Sequence, residues 1–191
     1  IYRFLLSVCR LVHDSLLMDE RTGELEFVDF RRDEKQMWRV FEDFTLEFFR
    51  REQERYRVVG QAEVPWFRAE GRTRSDASFI PGMRSDIVLQ SSDRRIILDT
   101  KFYEKPLSRR YGAEKLRSNN LYQLLTYLEN RQASLPRGPR HDGILLYAAV
   151  EKSFRVEVGL QGFRVQARTV DLSRPWAEIR EEMLEAVGVT A

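Results

Sequence analysis

The sequence predicts an α/β fold, a mixed central sheet flanked by helices, with the order helix, three strands, helix, strand. Two stretches, 33–51 and 114–131, carry apolar residues at helical spacing. Four short apolar runs marked by β-branched residues follow the first of them, three before the second and one after it. At 191 residues, with 42% hydrophobic and 12% aromatic content, the chain is long enough and apolar enough to bury one good core. An extra N-terminal helix precedes this order, and a C-terminal strand and helix follow it.

Phe4, Leu5, Val8, Leu11, Val12, Ser15 and Leu16 recur at helical spacing and predict an amphipathic helix over 4–17. Thr22-Gly23, between Leu17-Met18 and Leu25-Glu26-Phe27, is a turn signal for a short hairpin. Asp33 and Gln36 have capping-box spacing and start a helix to about Arg51, with Met37, Val40, Phe41, Phe44 and Phe48 as its buried face. Strands are predicted over 56–64, 83–90 and 94–102, the last two flanking the turn-forming Ser91-Ser92-Asp93. Residues 68–79 and 104–112 read as loops, and 114–131 as a helix with Leu121, Leu124, Leu125 and Leu128 as its apolar stripe. Pro136, Gly138 and Pro139 break the chain before a strand over 143–150; a strand over 164–172 and a helix from Pro175 to about Val187 complete it.

Composition excludes several classes. No stretch approaches the length of a membrane span, and no signal peptide is expected. A single cysteine, Cys9, rules out an internal disulfide and suits a reducing compartment. With His13 and His141 as the sole histidines, no zinc site of usual composition can be built. No Walker-type loop appears, so nucleotide hydrolysis would belong to a partner. The net charge of +2 is too balanced to argue by itself for nucleic acid.

The chemistry concentrates in Asp99-Thr100-Lys101, after the apolar run Ile96-Ile97-Leu98, and in Asp86, ahead of Ile87-Val88-Leu89. On an extended strand Asp99 and Lys101 share a face while Thr100 points the other way. If the preceding strand pairs as a hairpin, Asp86 approaches Asp99. Two carboxylates sharing a site suit a hard cation such as Mg²⁺. An adjacent ammonium can orient or deprotonate water, or offset charge on a phosphate. That equipment fits metal-assisted phosphodiester cleavage. The plainer alternative is a strand-end surface ion pair of little energetic value. Gln123 and Tyr127 stand four apart on the second helix and overhang the same strand, or form an ordinary helix boundary pair.

These residues resemble the PD-(D/E)xK, or restriction-endonuclease-like, nuclease superfamily. Asp86 matches its first acidic motif with Ser85 in place of the usual Pro, Asp99-Thr100-Lys101 matches (D/E)xK, and Gln123-Leu-Leu-Thr-Tyr127 matches the Q-x-x-x-Y signature of one branch. Phe30-Arg-Arg-Asp-Glu-Lys, Asp99-Thr-Lys-Phe-Tyr, Glu114-Lys-Leu-Arg-Ser and Asp142-Gly-Ile-Leu-Leu-Tyr are similar to the McrC family, nuclease subunits of modified-cytosine restriction systems. The resemblance covers roughly residues 27–187. It implies a metal-dependent DNA endonuclease domain over 31–191, and residues 1–30 as a helix and hairpin continuing from an upstream domain.

The resemblance also implies roles. Asp86 and Asp99 hold Mg²⁺ (with Mn²⁺ as a substitute), the Thr100 carbonyl is a further ligand, Lys101 handles the attacking water, and Gln123 and Tyr127 assist. Families of this fold often place an acid on the first core helix reaching towards the metal; here that residue is Glu42, for which a solvated helix position is the alternative. Arg84, Arg109, Arg110, Lys115 and Arg117 cluster near the site in sequence as candidate phosphate contacts. The implied partners are double-stranded DNA, a McrB-like AAA+ GTPase ring and a second nuclease copy for double-strand cleavage, all in the cytoplasm. The rival reading is a non-catalytic adaptor that binds DNA or stimulates the GTPase; it need not keep two close carboxylates that repel each other without a cation.

Overall fold

The computed structural model describes residues 16–18, 25–27, 34–67, 79–103, 106–110, 113–149 and 153–190. Its elements run β1 (Leu16–Met18), β2 (Leu25–Phe27), α1 (Glu34–Arg51), β3 (Arg57–Val64), β4 (Met83–Gln90), β5 (Arg95–Lys101), β6 (Leu107–Arg110), β7 (Ala113–Leu116), α2 (Ser118–Ser134), β8 (His141–Ala148), β9 (Arg155–Leu160), β10 (Phe163–Val170) and α3 (Trp176–Ala186). Six strands form one mixed sheet in the order β3-β4-β5-β8-β10-β9. β8 pairs parallel with both β5 and β10, and the remaining neighbours pair antiparallel.

The run Ile96-Ile97-Leu98 is apolar throughout because β5 is covered on both faces, as strands with parallel neighbours usually are. Ile96 and Leu98 pack with Phe41, Phe48 and Phe49 of α1 and Met183 and Leu184 of α3. Ile97 and Leu145 pack on the other face with Leu124, Tyr127 and Leu128 of α2. Both long helices are seated through a glycine. A Cβ at Gly143 would lie 2.8 Å from Leu128 Cδ1 and 2.9 Å from Leu124 Cδ2, and one at Gly60 would lie 2.5 Å from Leu46 Cδ2. At each, the missing side chain lets the helix approach the strand closely. α2 thereby lies over β8 and the carboxyl end of β5.

The α1 boundaries and the β4–β5 hairpin agree with the pattern in the sequence; Ser91 Oγ donates to Asp93 Oδ1 at 2.7 Å and accepts from the Arg94 N–H at 3.1 Å to close the turn. Three expectations need correction, and a fourth is largely untested. The buried face of α1 is rotated: Glu42, Thr45, Leu46 and Phe49 are buried with Phe41 and Phe48, while Met37, Val40 and Phe44 are only half-buried. Residues 107–110 and 113–116 form the β6–β7 hairpin, so α2 begins at Ser118, and pairing overrides the helix propensity of Ala113-Glu-Lys-Leu116. The C-terminal region has two strands, because β9 was not foreseen; it joins β10 through Gln161-Gly162, both at positive φ (50° and 77°), as in tight hairpin turns. The predicted helix over 4–17, with Cys9 and His13, lies outside the described residues except for Leu16 and Leu17, which belong to β1. Among the described residues, no helix is long and apolar enough to cross a membrane.

Candidate active site

The β4–β5 ladder runs from Gln90↔Arg95 to Ile87↔Leu98 and then stops. One step further, Asp86 falls opposite Asp99. The Asp86 side chain takes over from the ladder there: its Oδ2 accepts hydrogen bonds from the Thr100 N–H and the Thr100 hydroxyl, both at 2.8 Å. The motif's central Thr thus ties the two acidic strands together. Strand alternation turns Asp99 and Lys101 to the α2 side with Ile97, and Thr100 to the α1 side with Leu98.

Asp99 is fully buried, and Asp86 and Lys101 are nearly so. Lys101 Nζ lies 2.7 Å from Asp99 Oδ2, an ion pair by distance. Asp99 Oδ1, buried beside it, has no donor. The surface-ion-pair alternative is therefore wrong. On its other side the ammonium donates to Gln123 Oε1 at 3.0 Å, and Gln123 Nε2 meets the Tyr127 hydroxyl at 2.8 Å. A continuous polar chain, Asp99–Lys101–Gln123–Tyr127, links β5 to α2, with Gln123 exposed at its mouth and Tyr127 buried behind it.

Glu42 is buried, not solvated, and it accepts a hydrogen bond from Gln61 Nε2. Gln61 has a φ of +52°, which non-glycine residues rarely adopt, at the β3 position opposite Asp86 where the β3–β4 pairing skips a step. Trp38 Nε1 donates to the Thr100 carbonyl at 3.0 Å, so that oxygen already has one partner. Beside Lys101, Asn120 donates to the Tyr147 hydroxyl at 3.0 Å and accepts from the Tyr103 hydroxyl at 3.3 Å. Gln61, Trp38, Asn120, Tyr103 and Tyr147 were not singled out from the sequence. Only the left-handed backbone at Gln61 marks one of them as unusual, and that is invisible before folding.

The electrostatics follow from three acids around one amine. Burial, then repulsion from Asp86, raises the Asp99 carboxyl to about 7 against the pull of Lys101. Burial, followed by Asp86, Asp43 and Asp99, raises Glu42 to about 8. Asp86 is raised by burial despite the opposing Thr100 hydrogen bonds. Burial works to lower Lys101, but Asp99 and Asp86 outweigh it, and the amine is held above its ordinary value. Tyr127 is raised by burial first.

This acid excess and the donorless Asp99 Oδ1 are what a hard cation would relieve, and the donor set, all oxygen, fits Mg²⁺ or Mn²⁺. Among the described residues no three His, Cys, Asp or Glu side chains form a preassembled cation site. A metal would therefore start from the two aspartates and recruit further oxygens on binding. His141, at the opposite end of β5, takes no part.

The basic candidates are spread around this core. Arg84 is exposed on β4, two residues before Asp86 on the same strand face. Arg109 and Arg110 lie on β6 and Lys115 on β7, a hairpin inserted between Lys101 and α2. Arg117 is instead partly occupied within the fold, with its guanidinium 4.3 Å from the centre of the Tyr103 ring.

Fold and site define an α/β protein with a buried Asp/Asp/Lys centre at the end of its central strand and Gln123 at its mouth. A family model described as McrBC 5-methylcytosine restriction system component matches residues 2–148, and the chain belongs to that family. It is 33% identical over 186 residues to an Escherichia coli (strain K12) protein described as the type IV methyl-directed restriction enzyme EcoKMcrBC, a match covering 96% of this chain. The chain spans about half (52%) of the length of that curated relative. These matches bear out the resemblance to McrC drawn from the motifs.

Proposed function

We propose that this chain is a metal-dependent DNA endonuclease of the PD-(D/E)xK type, acting in a cytoplasmic restriction system directed at methylated cytosine, with residues 31–191 as the nuclease unit. The observation that carries this reading is the buried trio of Asp86, Asp99 and Lys101, with the ammonium against Asp99 Oδ2 and Asp99 Oδ1 left without a donor. An adaptor relieved of chemistry would gain stability by losing those acids. The order α1, β3, β4, β5, α2, β8, with a hairpin inserted after β5, is compatible with the core of that superfamily.

Asp86 and Asp99 would hold Mg²⁺, or Mn²⁺ in its place, with the Thr100 carbonyl and Glu42 as supporting oxygens. When bound, the ion would polarise the scissile phosphate and stabilise the leaving oxygen. Thr100 fixes the Asp86 carboxylate through its N–H and hydroxyl, so the acid is already placed before substrate arrives. Lys101 keeps its proton beside two carboxylates, so Nζ acts as a positive anchor that orients water or a phosphate oxygen rather than as a base. Gln123, braced by Tyr127, holds the ammonium over the mouth of the site and offers its exposed amide to water or phosphate. Arg84 and the β6–β7 residues Arg109, Arg110 and Lys115 contact the DNA backbone, which positions without reading sequence. DNA delivery falls to a McrB-like AAA+ GTPase ring, and double-strand cleavage to two nuclease copies.

The test is duplex cleavage in the presence of the GTPase partner. Asp99→Asn and Lys101→Ala should each leave less than about a thousandth of the parent rate, a loss of the size seen when charge-stabilising groups are removed from active sites. Parent-like cleavage by either folded variant contradicts the assignment.

A further inference from the structure

Among the described residues, two that are not glycine have a positive φ. Gln161 (50°) sits in the β9–β10 turn, where such backbone is common. Gln61 (52°) sits inside β3, within the central sheet, where it is not. Gly60 beside it could take this backbone without cost, yet the turned residue is Gln61. The break falls at Asp86. β3 pairs with β4 at Gly60↔Ile87 and again at Ala62↔Ser85 but not between, and β5 pairs with β4 only as far as Leu98↔Ile87. Asp86 therefore lies where both neighbouring ladders are open, and Gln61 is the residue opposite it.

The Gln61 side chain is also committed. Its Nε2 donates to Glu42 Oε1 on α1. One helical turn along, Leu46 fills the space left by the missing side chain of Gly60. Two successive residues of β3 thus hold two α1 residues that are four apart, one by packing and one by a hydrogen bond. The packing already seats the helix, so seating does not account for a strained non-glycine backbone; such strain collects at functional sites. What the hydrogen bond adds is a hold on an acid. Glu42 is buried, and near enough to Asp86 and Asp99 to be repelled by both. Among the described residues the three still do not make a preassembled cation site. Like charges keep a third carboxylate away from the aspartates until a cation is present to draw it in. Until then a buried carboxylate needs a donor, and Gln61 supplies it.

We propose that Gln61 is a positioning residue that parks the Glu42 carboxylate beside the Asp86/Asp99 pair and releases it to a cation bound there. This rests on the endonuclease reading and extends it from which oxygens hold the metal to how one of them is kept ready. Gln61 acts through Glu42 and needs no contact of its own with metal or phosphate.

The test is calorimetric Mn²⁺ titration of this chain with a short duplex present, read beside the melting temperature. Gln61→Gly takes the same backbone freely and should melt near the parent. It should bind Mn²⁺ about fivefold more tightly, the scale of one hydrogen bond that binding no longer breaks. Glu42→Gln still accepts from Gln61, so the tie between strand and helix survives. It should bind Mn²⁺ about tenfold more weakly, as when a supporting group at a metal site is lost. Gln61→Gly in the Glu42→Gln background should gain nothing. A tie that only seats α1 would instead lower the melting temperature of Gln61→Gly and leave its Mn²⁺ affinity unchanged, which overturns the proposal. So does weaker binding by Gln61→Gly, a gain that persists without the Glu42 carboxylate, or parent-like binding by Glu42→Gln. In each of those cases, loss of Mn²⁺ binding in Asp99→Asn leaves the endonuclease standing. Equal Mn²⁺ binding by the parent and Asp99→Asn, or none by any of these proteins, removes the endonuclease reading and the role of Gln61 with it.

Discussion

The two ends of β5 bury charge in opposite ways. At its amino end, Arg95 pairs in register with the fully buried His141, close to Arg131. Burial, then Arg95, then Arg131, pushes the His141 imidazole down to about 4, so at neutral pH it carries no charge. Its Nδ1 lies 3.3 Å from Gln132 Oε1. At the carboxyl end, Asp99 and Glu42 are raised only to about 7 and 8, and Lys101 stays protonated between them. At the first end the imidazole gives up its charge to the two guanidiniums and serves the fold. The second holds Asp99 and Glu42 near their protonation midpoints, where a cation could displace the protons; such balance is typical of functional sites.

The largest effect separating the ends is the activity lost with Asp99 or Lys101, and its counterpart is a gain in stability. The Asp99 carboxyl is raised from 3.8 to about 7, so its contribution to metal-free stability is fully present below pH 3.8 and is lost as pH rises through about 7. Asp99→Asn removes that loss. Its melting temperature without metal should exceed the parent's at pH 8, with the gap closing towards pH 4. A variant that melts below the parent at pH 8 would mean that Asp99 is a structural acid.

At the other end the sign reverses. His141 is depressed from 6.5 to about 4, so its contribution is present above pH 6.5 and is lost as pH falls towards 4. The shift corresponds to at most about 3 kcal/mol. Denaturant titrations should show the parent losing stability relative to His141→Gln as pH falls across that window, on top of the opposite trend set by the acids, while cleavage at pH 8 is unchanged.

Smaller effects test how the site is seated. Gly143→Ala drives a methyl into Leu124 and Leu128 and should cost about 1–3 kcal/mol, the usual range for overpacking. It should also lower the cleavage rate by moving α2, and with it Gln123, away from Lys101. Gly60→Ala meets Leu46 under α1 and should destabilise with less effect on rate, since Gln123 is not on that helix. The smallest change is Tyr127→Phe. It removes one hydrogen bond to Gln123, worth about 1 kcal/mol, and should slow cleavage about fivefold with little change in melting temperature.

Much of the carboxyl end was legible before folding, because its signals are local. Asp99 and Lys101 alternate with Thr100 along a strand, the Ser91-Ser92-Asp93 turn sets the hairpin that brings Asp86 across, and Gln123 and Tyr127 are one helical turn apart. What the sequence hid depends on long-range placement. The Gln61–Glu42 contact needs a left-handed residue in β3, and the Trp38–Thr100 bond joins residues 62 apart in the chain. The β6–β7 hairpin was read as loop and helix because Ala113-Glu-Lys-Leu116 favours helix locally, and strand β9 was missed although Val156 and Val158 alternate with polar residues. The cluster at the amino end left no pattern at all; Arg95, Arg131 and His141 meet only when β5, α2 and β8 are assembled.

The central claim, that the carboxyl end of β5 is built to receive a cation, is tested most directly by calorimetric Mn²⁺ titration of this chain and of Asp99→Asn, each with a short duplex present. The account predicts saturable Mn²⁺ binding by the parent that disappears in Asp99→Asn while the variant stays folded. Equal binding by the two, or none by either, would contradict it and move the reading to a DNA-binding or GTPase-stimulating adaptor.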